Sequence, residues 1–169
     1  MTVVQTGNVT PGHLATWQAS GVVGDGGPIL ASNKVLAAMF SANFNTAGDQ
    51  AILLPFPIKA FQLTGIVVTN ASVSMTTAVG GFYPAAAKAG SAIVAAGQVY
   101  SALTSKDLLL QATLTSFANT ARFSSNNLPL VFGPNSQNVL AIYFSLTTAQ
   151  GGSAVADIYL IGIDLSPPS

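Results

Sequence analysis

Short apolar stretches separated by turn residues run along the chain from Lys34 to its end. Within several of these stretches apolar and polar side chains alternate, which is the period of a β-strand with one face in a core. Residues 138–148 are the clearest case, and their even positions are predicted to face the core: Leu140, Ile142, Phe144 and Leu146. Residues 107–117 repeat the pattern, with Leu108, Leu110, Ala112 and Leu114 on one side.

The same alternation and its interruptions predict strands along most of this part of the chain. The predicted strands are residues 34–44, 50–56, 59–70, 72–83, 97–103, 107–117, 128–133, 138–148 and 156–165. Residues 84–96 are predicted to be a loop that could hold a short helix, because Pro84 and Gly90 leave room for only about one and a half turns. About eight strands without helical periodicity are typical of an antiparallel two-sheet sandwich, jelly-roll-like in topology. The predicted fold class is therefore all-β.

The last predicted strand, residues 156–165, differs because apolar side chains occupy both of its faces. Tyr159 and Ile161 alternate with Ile158 and Leu160, so neither face is polar. An apolar face that points away from the core requires a second neighbour. The sequence leaves two candidates for this neighbour: the N-terminal part of the chain packed outside the sheet, or a symmetry-related subunit.

The first 33 residues have a different texture, with glycine, proline, asparagine and threonine in quick succession. These residues favour turns and argue against long regular elements. We therefore predict two parts, an extended attachment arm at residues 1–33 and a β-sandwich domain at residues 34–169.

The chain has almost no charge. Its 169 residues include four lysines, one arginine and five aspartates, so the formal net charge is zero and only 6% of residues are charged, against about 25% in a typical protein. Such a surface cannot neutralise phosphates or bind anionic lipid, so neither nucleic acid nor a membrane is an expected partner. No apolar run reaches the length that spans a bilayer, and the N-terminus lacks a secretory pattern, which predicts a soluble protein made in the cytoplasm.

Half of the residues are apolar and no cysteine is present, so the fold must be stabilised by packing. An isolated monomer with so much apolar and so little charged surface would be poorly soluble. We therefore expect an oligomer or a larger assembly, with a monomer surface unusually rich in Ser, Thr and Asn as the alternative.

Candidate catalytic and metal-binding residues are few. His13 is the only histidine, and a site built from it and Asp25 would lie on the predicted arm without a rigid scaffold. Asp157 and Asp164 fall on opposite faces of one predicted strand, so they cannot converge as a pair of hydrolytic carboxylates. Neither a calcium loop nor zinc-ligand spacing occurs, and the glycines of residues 21–27 lack the spacing of a nucleotide-binding loop. The sequence predicts no enzyme, no catalytic residue, no metal and no cofactor.

Two neighbouring aromatic residues could serve a ligand. Phe82 and Tyr83 end a predicted strand, and an aromatic ring packs well on the apolar face of a sugar. Packing in the core or between subunits is the competing interpretation for Phe82 and Tyr83.

The stretch VVQTGNVTPGHLATWQASGVVGDGG, residues 3–27, resembles a segment near the start of many tailed-bacteriophage virion proteins. That segment has the form G-N-V-T-P-G-H-[LAV]-A-x-[WF] followed by D-G-V-[IVL]-x-D-[GA]-G. Ser20 stands here where the pattern often has its first Asp. Proteins with such a segment occur among fibre, tail-associated and head-associated components, so the resemblance specifies a virion protein more closely than it specifies the part of the virion.

The resemblance implies a non-enzymatic structural protein of the virion, made in the host cytoplasm and docked through its arm. The arm residues expected to dock are Asn8, Pro11, His13, Leu14, Trp17, Val22, Val23 and Asp25. The expected role is a capsid-decorating cement or head-spike protein, and the alternative is a tail- or fibre-associated module that binds a receptor or carbohydrate. The expected partners are further copies in a homotrimer and other virion proteins such as the major capsid or tail protein, with a host-surface glycan under the alternative.

Overall fold

The computed structural model describes residues 4–5, 13–19, 22–28, 33–133 and 137–166, with side chains from residue 33 onward. The chain separates into two compact units, Met1–Ser32 and Asn33–Ser169. In the first unit three strands form a small sheet: β1 (Val4–Gln5), β2 (His13–Ala19) and β3 (Val22–Pro28). β3 lies in the middle, antiparallel to β2 and parallel to β1.

This small sheet differs from the extended chain predicted for the N-terminal residues. Thr16 lies opposite Gly24 and Trp17 opposite Val23, so β2 and β3 form a β-hairpin. Only two residues separate these strands, which is the commonest length of a hairpin loop. β-branched residues lie among the glycines of this segment, and they favour strand conformation. The prediction was based on the glycines and gave the β-branched residues too little weight. The role of this segment as an attachment arm stays a prediction.

The second unit contains two antiparallel sheets packed against each other. Sheet I contains β4 (Lys34–Asn43), β6 (Ala60–Thr69), β9 (Leu109–Ala112), β10 (Phe123–Ser124) and β13 (Val155–Asp164). Sheet II contains β5 (Gly48–Leu53), β7 (Val79–Tyr83), β8 (Val94–Val99), β11 (Leu130–Phe132) and β12 (Asn138–Thr148). One short helix, α1 (Ser116–Thr120), completes the elements of the described part of this unit.

Neighbouring strands come from distant parts of the chain. The order is β4-β13-β6-β9 in sheet I, with β10 also paired to β6. In sheet II the order is β5-β12-β7-β8, with β11 also paired to β12. This interleaved order of eight main strands is that of a jelly roll made from two Greek keys. The predicted two-sheet, jelly-roll-like sandwich is confirmed.

Strand positions agree with prediction where alternation is unbroken. β12 occupies the predicted residues 138–148, and β4, β6 and β13 begin and end within one residue of the predicted bounds. The prediction is wrong for residues 72–78, which form a loop before β7. There the N–H of Ser72 donates to the Val155 carbonyl at 2.8 Å and that of Met75 to the Leu103 carbonyl at 2.9 Å, so the backbone is satisfied without a strand ladder.

The helix also lies at a different place from the one allowed by the sequence. Residues 84–93 form a loop, in which Ala87 and Lys88 both have positive φ angles that a helix does not permit. Helix α1 instead ends the stretch predicted as strand 107–117. Thr115 caps it by accepting a hydrogen bond from the backbone N–H of Ala118 at 3.3 Å.

The core lies between the two sheets. The even positions of β12 from Leu140 to Leu146 are buried there, as the alternation predicts. Phe144 is the centre of an aromatic cluster: its ring centroid lies 5.0 Å from those of Phe44 and Phe82 and 6.0 Å from that of Tyr100. Phe82 of sheet II, Phe44 directly after β4 and Tyr100 directly after β8 therefore all pack on Phe144.

The loop that follows β7 covers part of the outer face of sheet II. Ser145 is buried although it lies on the side of β12 that faces away from the core. The backbone N–H of Ala87 donates to the carboxylate of Asp49, and Lys88 Nζ donates to Thr147 Oγ1 at 3.2 Å. These hydrogen bonds hold the loop over β12 near Ser145, whereas Ala51 of β5 and Val99 of β8 stay exposed.

Candidate docking surface

The outer face of sheet I carries a continuous strip of apolar side chains. Tyr159 of β13 lies opposite Ala38 on one side and Val67 on the other, and Ile161 lies opposite Val35. Residues directly opposite each other in a sheet point to the same side. We call this strip the open face, and it comprises Val35, Ala38, Phe40, Val67, Leu109, Tyr159 and Ile161.

The large side chains of the open face are strongly exposed. Phe40 is 68% exposed, Leu109 66% and Val35 55%. Leu109 joins the strip because it lies opposite Thr69 of β6. The Phe40 ring meets the Tyr159 ring edge-on, with centroids 6.0 Å apart. A contiguous group of exposed large apolar side chains is typical of an interaction surface.

Phe40 points outward because β4 bulges at this position. Ser41 has a φ of 53°, and the pairing of β4 with β13 shifts here. Asp157 holds the bulge: one carboxylate oxygen accepts a hydrogen bond from the Ser41 N–H at 2.8 Å, and the other accepts one from Asn70 Nδ2 at 2.9 Å. A bulge re-aims a side chain and interrupts the edge of a strand.

Three charged residues beside the open face are compensated. Asp157 is buried with both oxygens hydrogen-bonded. Lys34 and Asp164 form an ion pair between the beginning of β4 and the end of β13, with Nζ and Oδ2 2.9 Å apart. Burial alone would raise the pKa of Asp164, but hydrogen bonds from Ser166 and Lys34 outweigh it and hold the pKa below the ordinary value of 3.8. The carboxylate therefore keeps its charge, and the pair is neutral.

A shallow polar depression of about 330 Å³ adjoins the open face. Its lining includes Thr64, Gln111, Thr113 and Asn119. Gln111 lies opposite Val67 of the open face, so the two surfaces share a border. An apolar centre beside a polar margin is the usual anatomy of a protein–protein contact.

A separate apolar cavity of about 250 Å³ lies beside β11. Phe56, Ile58 and Leu130 supply apolar walls, and Phe56 is 57% exposed. Polar groups at the same cavity come from Lys59, Ser125 and Asn138. A concave apolar site with a few polar groups is the general form of a small-ligand pocket.

The aromatic residues predicted as ligand-facing are not exposed. Phe82 is buried and packs on Phe144 in the core. Tyr83 is buried on the other side of β7, and burial together with the nearby Asp49 carboxylate raises its pKa. The predicted ligand-facing role of Phe82 and Tyr83 is therefore wrong. The physical reason is that β7 lies inside sheet II, between β12 and β8, with the loop after it folded over the outer side.

The predicted docking residues of the arm fall in or near the N-terminal sheet. Asn8 and Pro11 lie outside the described residues. The others divide between two strands, with His13, Leu14 and Trp17 in β2 and Val22, Val23 and Asp25 in β3. The register places His13 opposite Pro28 and Asp25 opposite Ala15. Their part in docking stays a prediction.

One buried polar group in the core has no partner in the described structure. Tyr100 is fully buried against Phe44 and Phe144, and its hydroxyl makes no hydrogen bond. Burial, with Tyr83 nearby as a second cause, raises the pKa of Tyr100 well above the ordinary value of 10.0. The unfolded chain releases this proton at about pH 10, whereas the folded chain keeps it. Stability is therefore complete below pH 10 and falls above it, by about 1.4 kcal/mol per pH unit.

The substitution Tyr100→Phe is expected to raise the free energy of unfolding by about 1 kcal/mol at pH 7, because it removes an unsatisfied buried hydroxyl. It should also make the loss of stability above pH 10 shallower. Urea denaturation at pH 7 and at several alkaline pH values measures both effects. Tyr143→Phe is the control, since Tyr143 is only half-buried, and should change stability at pH 7 by less than about 0.5 kcal/mol. Destabilisation by Tyr100→Phe would show that the hydroxyl has a partner.

The fold and the surface together define the class of protein: an all-β sandwich whose first sheet has an open apolar face. Across residues 33–133 and 137–166 and the described strands before them, no group of three or more His, Cys, Asp or Glu residues is placed to hold a metal ion. No helix in that part of the chain is long and apolar enough to cross a membrane. The chain matches no protein-family model, no curated protein and no solved structure.

Proposed function

We propose that the chain is a non-enzymatic structural protein of a bacteriophage virion, attached to the particle through residues 1–33. The observation that carries the proposal is the open face on a chain in which only 6% of residues are charged. Such a surface is suited to burial in an assembly, where contact with protein replaces contact with water. The resemblance of residues 3–27 to segments of phage virion proteins supports the virion as the assembly.

Within the virion, we place the protein on the capsid as a cement or head-spike protein. Residues Asn33–Ser169 are one compact unit. A compact sandwich on an N-terminal attachment segment suits decoration of a shell, whereas a fibre is built from long repeats.

The substitution Trp17→Ala is expected to lower the number of copies bound per particle by about ten-fold or more, because a buried aromatic anchor is a common hot spot. Binding of the full-length variant to particles that lack the protein measures the effect. Phe132→Ala is the matched control, since that ring is 83% exposed on β11 and lies outside the attachment segment.

Deleting residues 1–30 should abolish binding while the sandwich still unfolds cooperatively. If the shortened chain binds particles in the same number of copies as the full-length chain, the proposal is wrong.

A receptor- or carbohydrate-binding role at a tail or fibre is the second candidate, and the cavity beside Phe56 favours it. An exposed ring next to Lys59, Ser125 and Asn138 combines a stacking surface with hydrogen-bonding groups. Binding on a glycan array that is lost in Phe56→Ala would support this role. No binding to glycans or to host cells would count against it.

A further inference from the structure

We infer that the open face is the surface through which copies of this chain contact one another. The inference rests on the proposed assembly function and names the partner for one of its surfaces. It is carried by three observations: the apolar area exposed, the compensation of the charges of Asp157, Lys34 and Asp164, and the bulge in the adjacent edge strand.

The exposed area of the open face is what a stable contact between subunits needs. A standard interface buries about 800 Å² on each partner, of which somewhat more than half is apolar. With about 200 Å² for a complete aromatic side chain, the exposed fractions of Phe40, Leu109 and Val35 and the partly exposed Tyr159 and Ile161 amount to roughly 400 Å². The polar depression at Gln111 borders this area and supplies a margin that can hydrogen-bond.

The charge distribution is compatible with a second copy as the occupant. Where copies meet through the same face, a charge near the symmetry axis meets its own equivalent, and an uncompensated charge there would oppose association. Asp157 is buried and fully hydrogen-bonded, and Lys34 is paired with Asp164. A charged partner would find no complementary charge on the open face, whereas the same neutral face on another copy meets no repulsion.

Because of the bulge in β4, we expect copies of the chain to meet through the open face and not by strand addition at the edge of β4. β4 is the edge strand of sheet I and could add a strand from another copy. The extra residue at Ser41 interrupts that edge, and the Ser41 N–H is already bonded to Asp157. The same bulge turns Phe40 outward.

Sedimentation equilibrium of the purified full-length chain tests the inference. The wild-type chain is expected to have a mass of at least twice the 17.1 kDa of one chain at about 50 µM. Phe40→Ala should weaken the self-association constant by about thirty-fold, the effect of losing one central anchor. Leu109→Lys should weaken it at least as much, because each copy would bring a lysine into the contact.

Phe132→Ala is again the matched control, because it removes a ring from sheet II that is even more exposed than that of Phe40. It should change the association constant by less than about three-fold. Both Phe40 and Leu109 are exposed, so the variants are expected to stay folded, with the circular-dichroism spectrum of the wild type and a cooperative thermal transition. A monomeric wild-type chain, or an equal loss in Phe132→Ala, would overturn the inference.

These outcomes are separate from those that test attachment to the particle. A chain that is monomeric in solution but still binds particles through residues 1–33 would refute the contact between copies and leave the proposed function standing. A chain that associates through Phe40 but never binds particles would support the contact between copies and refute the proposed attachment to the virion.

Discussion

Replacing Phe144 by alanine is expected to lower the free energy of unfolding by about 4 kcal/mol, a large fraction of the roughly 5–15 kcal/mol of an ordinary domain. Phe144 is fully buried and contacts the rings of Phe44, Phe82 and Tyr100. The alanine leaves a cavity that these rings cannot fill, because each is held by its own strand or loop. Phe144 therefore contributes both its own burial and the packing of three other aromatic side chains.

Urea denaturation followed by circular dichroism measures this loss. Phe132→Ala deletes the same atoms from an 83% exposed position and should cost less than about 0.5 kcal/mol. Phe144→Leu keeps most of the volume and should recover about half of the lost stability. Equal effects of the two alanine substitutions would show that the rings around Phe144 do not form the centre of the core.

Replacing Gly162 by alanine is expected to cost about 3 kcal/mol, although the change adds only one methyl group. A Cβ at this position would lie 2.7 Å from Leu36 Cδ1 and well inside the van der Waals distance of the Gln62 carbonyl oxygen. Leu36 could move, but the Gln62 carbonyl belongs to β6, which pairs with β13 at this point. Relief therefore requires that two central strands separate.

Gly97→Ala provides the matched control, because a Cβ at Gly97 of β8 would meet no atom within 4 Å. Gly97→Ala should be neutral or should raise the free energy of unfolding by up to about 0.5 kcal/mol, since alanine reduces the freedom of the unfolded chain. Thermal and urea unfolding of the two variants compare the effects directly. A Gly162→Ala protein as stable as the wild type would mean that β13 and β6 are farther apart here than the structure places them.

The sequence predicts the sandwich well because the long strands carry regular patterns. β12 has unbroken alternation, and its predicted bounds match the structure. β13 has apolar residues on both sides, which correctly indicates that its outer side is not adapted to water. Both signals depend only on residues near one another in the chain, and a sequence displays such information directly.

The parts that escaped prediction depend on contacts between distant residues. Phe40 belongs to the open face because Asp157, 116 residues after Ser41, holds the bulge in β4. Phe82 and Tyr83 look like strand-end aromatics, but β12, β8 and the loop at Ala87 enclose them. No local pattern reveals which loop covers which face. The exposed apolar surface therefore had to be read from the structure, although the low charge of the chain indicated that one should exist.

The ion pair between Lys34 and Asp164 joins the beginning of β4 to the end of β13. Lys34 also lies opposite Gly162 in the ladder, so the chain enters and leaves the sandwich at the same corner. Tension applied through residue 33 is therefore received by the central strand β13 as well as by the edge strand. A force on the N-terminal end of β4 therefore acts on two strands from the start, because β4 and β13 are already joined at that end by the ion pair and by the strand pairing.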